Sequence, residues 1–312
     1  MKQELGIVTP VYSTERNSRL TYFRDTAGSI LAQDLDFLWV IVDDGSTDET
    51  PDYIQGIRDS RVSYIRLERT NRSRLTSSVG ANAGLNYLMN KRCSYFAYVH
   101  SDDIITPYSL EKRVNALKEG AEMVYGKLAI YECRGLVLKD FKKPKEDHST
   151  EVMRMDFPHH TSMWSRKMMK LMMNGRANSL FDTELDCVED LDVTMYSRKI
   201  IEKHNFRLDF IDGILYIWVR SKDNITELVR ERTVRKQVEI VFEKNGFDAS
   251  DYVRESLLKK LIIRPGYWLP EKIKRQLRPI KNEISRLTGN RLYPGPEKSI
   301  TQTVINPFWF RS

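Results

Sequence analysis

The sequence predicts an α/β fold, with one mostly parallel mixed sheet flanked by helices and a helical C-terminal extension. Two observations support this. Over the first two thirds of the chain, short apolar runs alternate with amphipathic segments, which is typical of right-handed βαβ units. From about residue 225 these runs give way to basic amphipathic segments, which are typical of helices. We therefore expect a domain over residues 1–224 and an extension over residues 225–312.

The first four strand and helix pairs follow one another closely. The apolar runs are LGIVT (5–9), WVIV (39–42), VSYIRL (62–67) and YFAYVH (95–100), and helical patterns follow at 17–33, 48–58, 78–90 and 107–120. Because every run is followed by a helical pattern, we expect consecutive strands to be parallel in a single Rossmann-like sheet.

Polar side chains follow three of these strands where each strand ends. They are Thr9 and Tyr12 after the first, Asp43 and Asp44 after the second, and Asp102 and Asp103 after the fourth. Paired acids are costly when they are buried without partners. Ligands of open α/β sheets bind beyond the carboxyl ends of the strands. The three loops therefore predict one ligand site at this edge.

Two common nucleotide motifs are absent from the sequence. The first turn reads TPVYSTERN, where a dinucleotide site needs G-x-G-x-x-G. No G-x-x-x-x-G-K-[ST] phosphate loop occurs either. These absences argue against a dehydrogenase and a P-loop nucleotidase.

Composition predicts a globular cytoplasmic protein. The chain has 312 residues, 41% of them hydrophobic, which is enough for a sizeable core. No run of 18 apolar residues occurs, and the N-terminus lacks the apolar region of a signal peptide. The three cysteines are widely spaced, which argues against a disulfide framework or a zinc site.

The basic charge is concentrated in the C-terminal extension. Residues 229–291 hold 16 Lys or Arg and 8 Asp or Glu, within a chain of net charge +7. We favour a helical appendage packed on the first domain or on a second subunit of a homo-oligomer. The alternative is peripheral contact with an anionic membrane at its inner face.

Four motifs in order resemble a known family. VTPVY (8–12), VDDGSTD (42–48), GANAGLN (80–86) and HSDDIITPYSLEK (100–112) look like the inverting family 2 glycosyltransferases, which have the glycosyltransferase A fold. The resemblance covers roughly residues 4–220. It implies a nucleotide-sugar-binding catalytic domain over residues 1–224.

The resemblance assigns the first acids to the donor. Asp43 and Asp44 would bind the nucleobase and ribose, and Thr9 and Tyr12 offer a hydroxyl and a ring to the base. The structural alternative is an Asx-type turn in which residues 46–47 cap the next helix.

Asp102 and Asp103 would serve the diphosphate. In the family the second of these aspartates contacts the metal, Mn²⁺ or Mg²⁺, so Asp103 is the expected metal ligand and Asp102 a donor contact. His100 stands where many members have a further acid. Alternatively, His100 is a structural residue at the end of a strand, hydrogen-bonded to the backbone.

Asn82 matches an asparagine of the family motif, but Ala81 stands where arginine is frequent. Charge for the diphosphate would then come from Arg72 in RTNRSR, because guanidinium forks suit phosphate oxygens. A solvated basic loop is the alternative.

The catalytic base is expected in CVEDLDVTMYSRK. An apolar stripe at helical spacing, Leu191, Met195 and Ile201, places Asp190 at the start of a helix. The segment resembles the family's Glu-Asp motif, whose Asp removes the acceptor's proton. Helix capping is the alternative role of Asp190, and Asp186, Asp192 and Glu189 are alternative bases.

Further contacts are expected from His160, Glu189 and Trp218 on the acceptor or diphosphate side, and from Arg220 on the donor side. We expect a helix to begin near Ser165. His159 and His160 would point to opposite faces of a strand, which leaves His159 structural or exposed.

Together these features predict a metal-dependent inverting glycosyltransferase. It would move a sugar from a nucleoside-diphosphate sugar, with UDP-sugar favoured, to a glycan or lipid-linked acceptor in cell-surface polysaccharide synthesis. The alternatives are a degenerate nucleotide-sugar-binding module and, ranked last, a nucleic-acid-binding protein using its basic helices.

Overall fold

A computed structural model describes residues 4–68, 77–132, 135–139, 159–220, 229 and 231–246. Nine strands form one mixed sheet in the order β3-β2-β1-β4-β8-β6-β9-β5, and β7 pairs with β6. Helices cover both faces of the sheet, as predicted from the alternating pattern. The predicted α/β class is therefore confirmed.

The N-terminal half of the sheet is parallel. Its strands are β1 (Leu5–Val11), β2 (Phe37–Asp43), β3 (Val62–Arg66) and β4 (Tyr95–Tyr98). β1 lies between β2 and β4, and β2 pairs with β3. The strands alternate with α1 (Leu20–Leu31), α2 (Thr50–Gly56), α3 (Ser78–Met89) and then α4 (Ser109–Lys118).

The second half of the sheet is mixed. It contains β5 (Ile104–Ile105), β6 (Met123–Glu132), β7 (Gly135–Lys139), β8 (Met163–Ser165) and β9 (Leu208–Val219). β8 is antiparallel to β4 and β6, whereas β9 is parallel to β6 and antiparallel to β5. The long strand β9 pairs along most of β6.

Two apolar layers sandwich the sheet because successive residues of a strand face opposite sides. On β2, Trp39 and Ile41 pack with α1, α2 and α4, whereas Val40 and Val42 pack with α3 and the later helices. These later helices are α5 (Arg166–Asn174), which begins after Ser165 as predicted, and α6 (Glu189–His204).

Helix α3 lies unusually close to the sheet at Gly84. A Cβ on this residue would lie 2.2 Å from Val8 Cγ2 and 3.0 Å from Val42 Cγ2. Only glycine allows this approach. It brings the start of α3 to the edge where β1 and β2 end.

One helix of the predicted extension is described, α7 (Glu231–Asn245). Its residues Val238, Val241 and Phe242 share a buried cluster with Leu191 and Met195 of α6. The rest of the extension, and the proposed boundary at 224, lie outside the described residues. Among the described helices, none has the length and apolar composition that crossing a bilayer requires.

Candidate active site

Asp43 fixes the turn at the end of β2. Its Oδ1 accepts a hydrogen bond from the Ser46 backbone N–H at 2.8 Å. Its Oδ2 accepts from Tyr64 Oη at 2.9 Å and from Arg66 at 3.0 Å. Gly45 supports the turn with a φ of 85°. The Asx-type turn is therefore present, with three internal bonds to the carboxylate, but residues 46–47 do not cap α2, whose N-cap is Glu49 without a side-chain bond. A donor contact by Asp43 stays a prediction.

Thr9 lies in the core. Its side chain is fully buried, and its Oγ1 accepts a hydrogen bond from the Trp39 indole at 3.0 Å. The hydroxyl expected to hold the base is therefore engaged between β1 and β2. Tyr12 and Asp44 lie just beyond the strands, where the Asp44 backbone N–H donates to Val11 O at 2.8 Å. Both remain predicted donor contacts.

The loop after β1 is tied to the loop after β2 by Asp48. Ser13 and Ser18 donate to Asp48 Oδ2 at 2.5 and 2.8 Å. Burial alone would raise the pKa of Asp48, but hydrogen bonds from Ser13, Thr50 and Ser18 lower it below its ordinary value. The ionised carboxylate therefore holds the loop in place, and the loop ends at Arg19.

Arg19 forms an ion pair with Asp102 across the sheet edge. Both side chains are largely buried, with exposures of 15% and 17%. No local sequence pattern indicated this arginine, since 83 residues separate the partners. The pair places a guanidinium and a carboxylate at the edge where the three predicted loops meet.

Asp103 faces away from this edge. It is 1% exposed, and its carboxylate accepts from the Val219 N–H at 2.8 Å and the Tyr216 hydroxyl at 3.0 Å. Burial, and then the neighbouring Asp102 carboxylate, raise the pKa of Asp103 well above its ordinary value. Asp102, at 17% exposed, is the less buried of the two carboxylates, and the metal role of Asp103 stays a prediction.

The carboxylates at this edge suit a cation that takes part of its ligands from the protein and part from the substrate. Among the described residues, no group of three His, Cys, Asp or Glu side chains is arranged to hold a metal. Mg²⁺ is commonly held by one or two carboxylates together with substrate phosphates and water. Asp102, which Arg19 pairs with here, and Asp103 are the carboxylates that would hold such an ion, and the remaining ligands would come from a diphosphate.

Three histidines, His100, His159 and His160, lie in contact with one another near the end of β4. His160 lies in a 3-10 turn, His159–Thr161, and its ring is 4.8 Å from that of His100 and 6.0 Å from that of Trp218. His159 is buried against Tyr98, at 5.0 Å between ring centroids. The structural role of His159 agrees with its burial, but the two neighbours lie in a turn rather than on a strand.

Two of these histidines, His100 and His159, have lowered pKa values. Burial, and then His159 and Arg19, lower the pKa of His100 to about 3. Burial and His160 lower the pKa of His159 well below its ordinary value. Within the described chain, His100 Nε2 and both His159 ring nitrogens find no hydrogen-bond partner. A structural His100 bonded to the backbone was the alternative, but no backbone group bonds to Nε2 among the described residues.

Asn82 holds the loop before α6. Its amide donates to Ser179 Oγ and to Phe181 O at 2.8 Å each, and its Oδ1 accepts from Phe181 N at 2.9 Å. These bonds engage the amide inside the protein, so the donor role of Asn82 stays a prediction. Arg72 lies outside the described residues. Arg220 follows β9, and its backbone N–H donates to Tyr131 O.

The alternative bases Asp186 and Asp192 are engaged by other side chains. Asp192 is fully buried and accepts two hydrogen bonds from Arg176, at 2.6 and 3.0 Å. Asp186 Oδ2 accepts from Gln237 Nε2 at 2.6 Å. The geometry therefore favours Glu189 and Asp190 as the acids that serve the site.

Glu189 and Asp190 form the first turn of α6. Asp190 Oδ1 accepts from the Leu191 N–H at 2.8 Å, and Glu189 Oε1 accepts from Ser77 Oγ at 3.4 Å. Burial, and then the Asp190 carboxylate, raise the pKa of Glu189 to about 7. A carboxyl of this kind exchanges its proton near neutral pH.

Tyr98, at the end of β4, lies close to the start of α6. Burial raises its pKa well above the ordinary value, and the charges of Glu189, Asp102 and Asp190 add to this effect. Its hydroxyl lies 2.9 Å from Ser77 Oγ, the hydroxyl that also contacts Glu189. Ser77 therefore links Tyr98, on the strand that precedes Asp102, to Glu189 at the start of α6.

Comparison with known proteins identifies the family of this chain. A family model described as glycosyl transferase family 2 matches residues 7–204. A search of curated protein sequences finds no match.

Solved structures share the fold. A crystal structure of S. aureus TarS 1-349 in complex with UDP-GlcNAc has a TM-score of 0.58 at 16% identity, and the match covers 90% of this chain and 81% of that one. A crystal structure of S. aureus TarS has a TM-score of 0.54 at 18% identity. The match covers 82% of this chain and 46% of that one. The chain thus spans about half of that longer protein.

A third structure is the mannosyltransferase PcManGT from Pyrobaculum calidifontis in complex with GDP-Man and Mn²⁺. Its TM-score is 0.55 at 13% identity, and the match covers 100% of this chain and 89% of that one. Identities this low show a shared fold and leave the substrate of this chain open.

Proposed function

The chain belongs to glycosyl transferase family 2, and from that premise we propose that it transfers a sugar with inversion at the anomeric carbon. The donor is a nucleoside-diphosphate sugar, with UDP-sugar favoured. The acceptor is a hydroxyl of a glycan or lipid-linked molecule, in cell-surface polysaccharide synthesis. The family match over residues 7–204, with acids at the ends of β2 and β4 and at the start of α6, carries this proposal.

Asp190 is the proposed general base. Inverting transfer requires a group that takes the acceptor's proton while the acceptor oxygen attacks the sugar from the side opposite the leaving diphosphate. Asp186 and Asp192 are engaged by Gln237 and Arg176, which supports the assignment to the first turn of α6. Glu189, with its raised pKa, lies beside the base on the acceptor side.

Asp102 is the proposed contact for the diphosphate end of the donor. A Mn²⁺ or Mg²⁺ ion bound there would offset the negative charge that develops on the leaving diphosphate. Arg19 is held against Asp102 and brings a second positive charge to this end of the cleft. Asp44 and Tyr12, at the ends of β2 and β1, are the proposed contacts for the nucleoside.

The acceptor side is proposed to include His160 and Trp218. Their rings are stacked at an interplanar angle of 29°. Flat aromatic surfaces of this kind suit the apolar face of a sugar ring. Arg220 follows Trp218 closely in the chain and is proposed to reach the donor.

The choice of UDP rests on the fold neighbours. S. aureus TarS 1-349 was crystallised with UDP-GlcNAc and with UDP, whereas the archaeal mannosyltransferase was crystallised with GDP-Man. Buried free thiols at Cys93 and Cys187 fit a reducing compartment, so we place the reaction in the cytoplasm.

A degenerate binding module is the second candidate function. His100 and Ala81 stand where the family often has an acid and an arginine, and such a module would bind donor without transfer.

Nucleotide release from UDP-, TDP- and GDP-sugars, with Mn²⁺, Mg²⁺ or chelator, tests the proposed function. We expect release from one donor class, lost with chelator. Binding of a donor without release, in the presence of mixed acceptors, would favour the binding module instead.

A further inference from the structure

Helix α7 packs against the segment that carries the proposed base. We call residues 182–192 the acidic segment, since it contains six carboxylates. Val238, Val241 and Phe242 of α7 form one buried cluster with Cys187 and Val188 of this segment. The family model ends at residue 204, so α7 lies outside the matched region.

Gln237 and Asp186 form a reciprocal pair at one end of this contact. Gln237 Nε2 donates to Asp186 Oδ2 at 2.6 Å, and the Asp186 backbone N–H donates to Gln237 Oε1 at 3.0 Å. The Cys187 thiol lies 3.6 Å from the same oxygen. Gln237 is 8% exposed, so these bonds are shielded from water.

A second set of bonds holds the other end of the segment. Asn245 Nδ2 donates to Asp192 Oδ1 at 3.0 Å, and Lys244 Nζ donates to Asp192 Oδ2 at 3.1 Å and to Asp182 at 2.7 Å. Three of the six carboxylates are therefore engaged by α7. Glu189 and Asp190 lie between the two sets of bonds.

We infer that helix α7 positions the Glu189–Asp190 turn for catalysis, and that Gln237 is its main positioning residue. The inference rests on the proposed function of Asp190. Bonds at residues 186–187 and at 192 fix both ends of a stretch of four residues. Rotation of the base away from the acceptor is then restricted, and small displacements of a catalytic group reduce rate strongly.

An exchange of the two partners tests the pair. In Gln237→Glu, the donating amide is lost and two carboxylates face each other. In Asp186→Asn, the new amide oxygen can still accept from Gln237. In the double variant the side-chain bond would run in reverse, because the new amide at position 186 donates to the new carboxylate at position 237. The backbone N–H of residue 186 keeps its acceptor in all three variants.

The exchange has a structural readout that needs no substrate. The Cys187 thiol touches Gln237, so its rate of modification by N-ethylmaleimide reports whether the segment is held. Peptide-level mass spectrometry separates Cys187 from the other two cysteines, and buried Cys93 is an internal control for global unfolding. We expect modification of Cys187 to rise about tenfold relative to Cys93 in Gln237→Glu, and to return towards the wild-type rate in the double variant.

Turnover is then measured on the same proteins with the donor that the wild type uses, water serving as acceptor. We expect kcat for nucleotide release to fall about tenfold in Gln237→Glu, with KM for the donor nearly unchanged, and to recover in the double variant. Glu243→Gln, an exposed change on the same helix, is the control for α7.

The outcomes separate the two proposals. Unchanged Cys187 modification in Gln237→Glu would show that the pair does not hold the segment. Faster modification of Cys187 with unchanged kcat would show that the bond between Gln237 and Asp186 does not position Asp190. A rise in KM for the donor, without a fall in kcat, would also contradict this role. If wild type releases nucleotide from no donor, the proposed function fails, and the inference about the base fails with it even where the thiol is protected.

Discussion

Glu189→Gln should remove a pH-dependent loss of stability. In the folded protein the pKa of Glu189 is about 7, compared with an ordinary value of 4.5, because of burial and the neighbouring Asp190. The folded state therefore binds the proton more tightly than the unfolded state. Stability should fall as pH rises from about 4.5 to 7, by about 3 kcal/mol at roughly 1.4 kcal/mol per pKa unit. Glutamine cannot ionise, so it avoids this loss.

Chemical denaturation at several pH values between 4.5 and 8 measures the effect. Wild type and Glu189→Gln should be similar in stability near pH 4.5, and the variant should be more stable above pH 7. Glu111→Gln, at an exposed position of α4, is the control and should keep the wild-type profile. A constant difference between wild type and Glu189→Gln across this range would refute the reasoning.

Three further predictions concern the site. Asp190→Asn should keep donor affinity by calorimetry and lower nucleotide release at least about 100-fold; wild-type turnover would move the base to Glu189. Asp102→Ala should abolish Mn²⁺-dependent donor binding, whereas Asp103→Ala should mainly cost about 2–4 kcal/mol of unfolding free energy, since two buried donors lose their acceptor; the reverse pattern would favour Asp103 as the metal ligand. Asp44→Ala should weaken binding of the donor and of its free nucleotide equally, and unchanged affinity would remove its nucleoside role.

The parallel strands, and the meeting of their carboxyl-terminal loops at one edge, could be predicted because the signals are local. Apolar runs with helical patterns between them give parallel strands, and acids at strand ends meet at one edge. The alternation of side chains between the two faces of β1 also predicts which face Thr9 lies on. Leu5, Ile7 and Val11 face the core layer that contains Trp39, and Thr9 lies in step with them, which accounts for its buried hydroxyl.

Other features depend on contacts between distant residues. Asp103 is buried because Tyr216 and Val219 reach it from β9, and adjacent aspartates give no sign of which one will be covered. Asp186 is separated from Gln237 by 51 residues. No pattern near Asp186 indicates that a side chain of α7 will bind its carboxylate. From the sequence alone, Asp186 is therefore an alternative base.

Proton NMR of the donor during turnover tests the central claim most directly. With water as acceptor, the spectrum reports both consumption of the nucleoside-diphosphate sugar and the anomeric configuration of the released sugar before it equilibrates. The account predicts consumption by wild type, with the new sugar in the configuration opposite to the donor, and none by Asp190→Asn. Release with retained configuration, or equal consumption by the variant, would contradict a base at the start of α6.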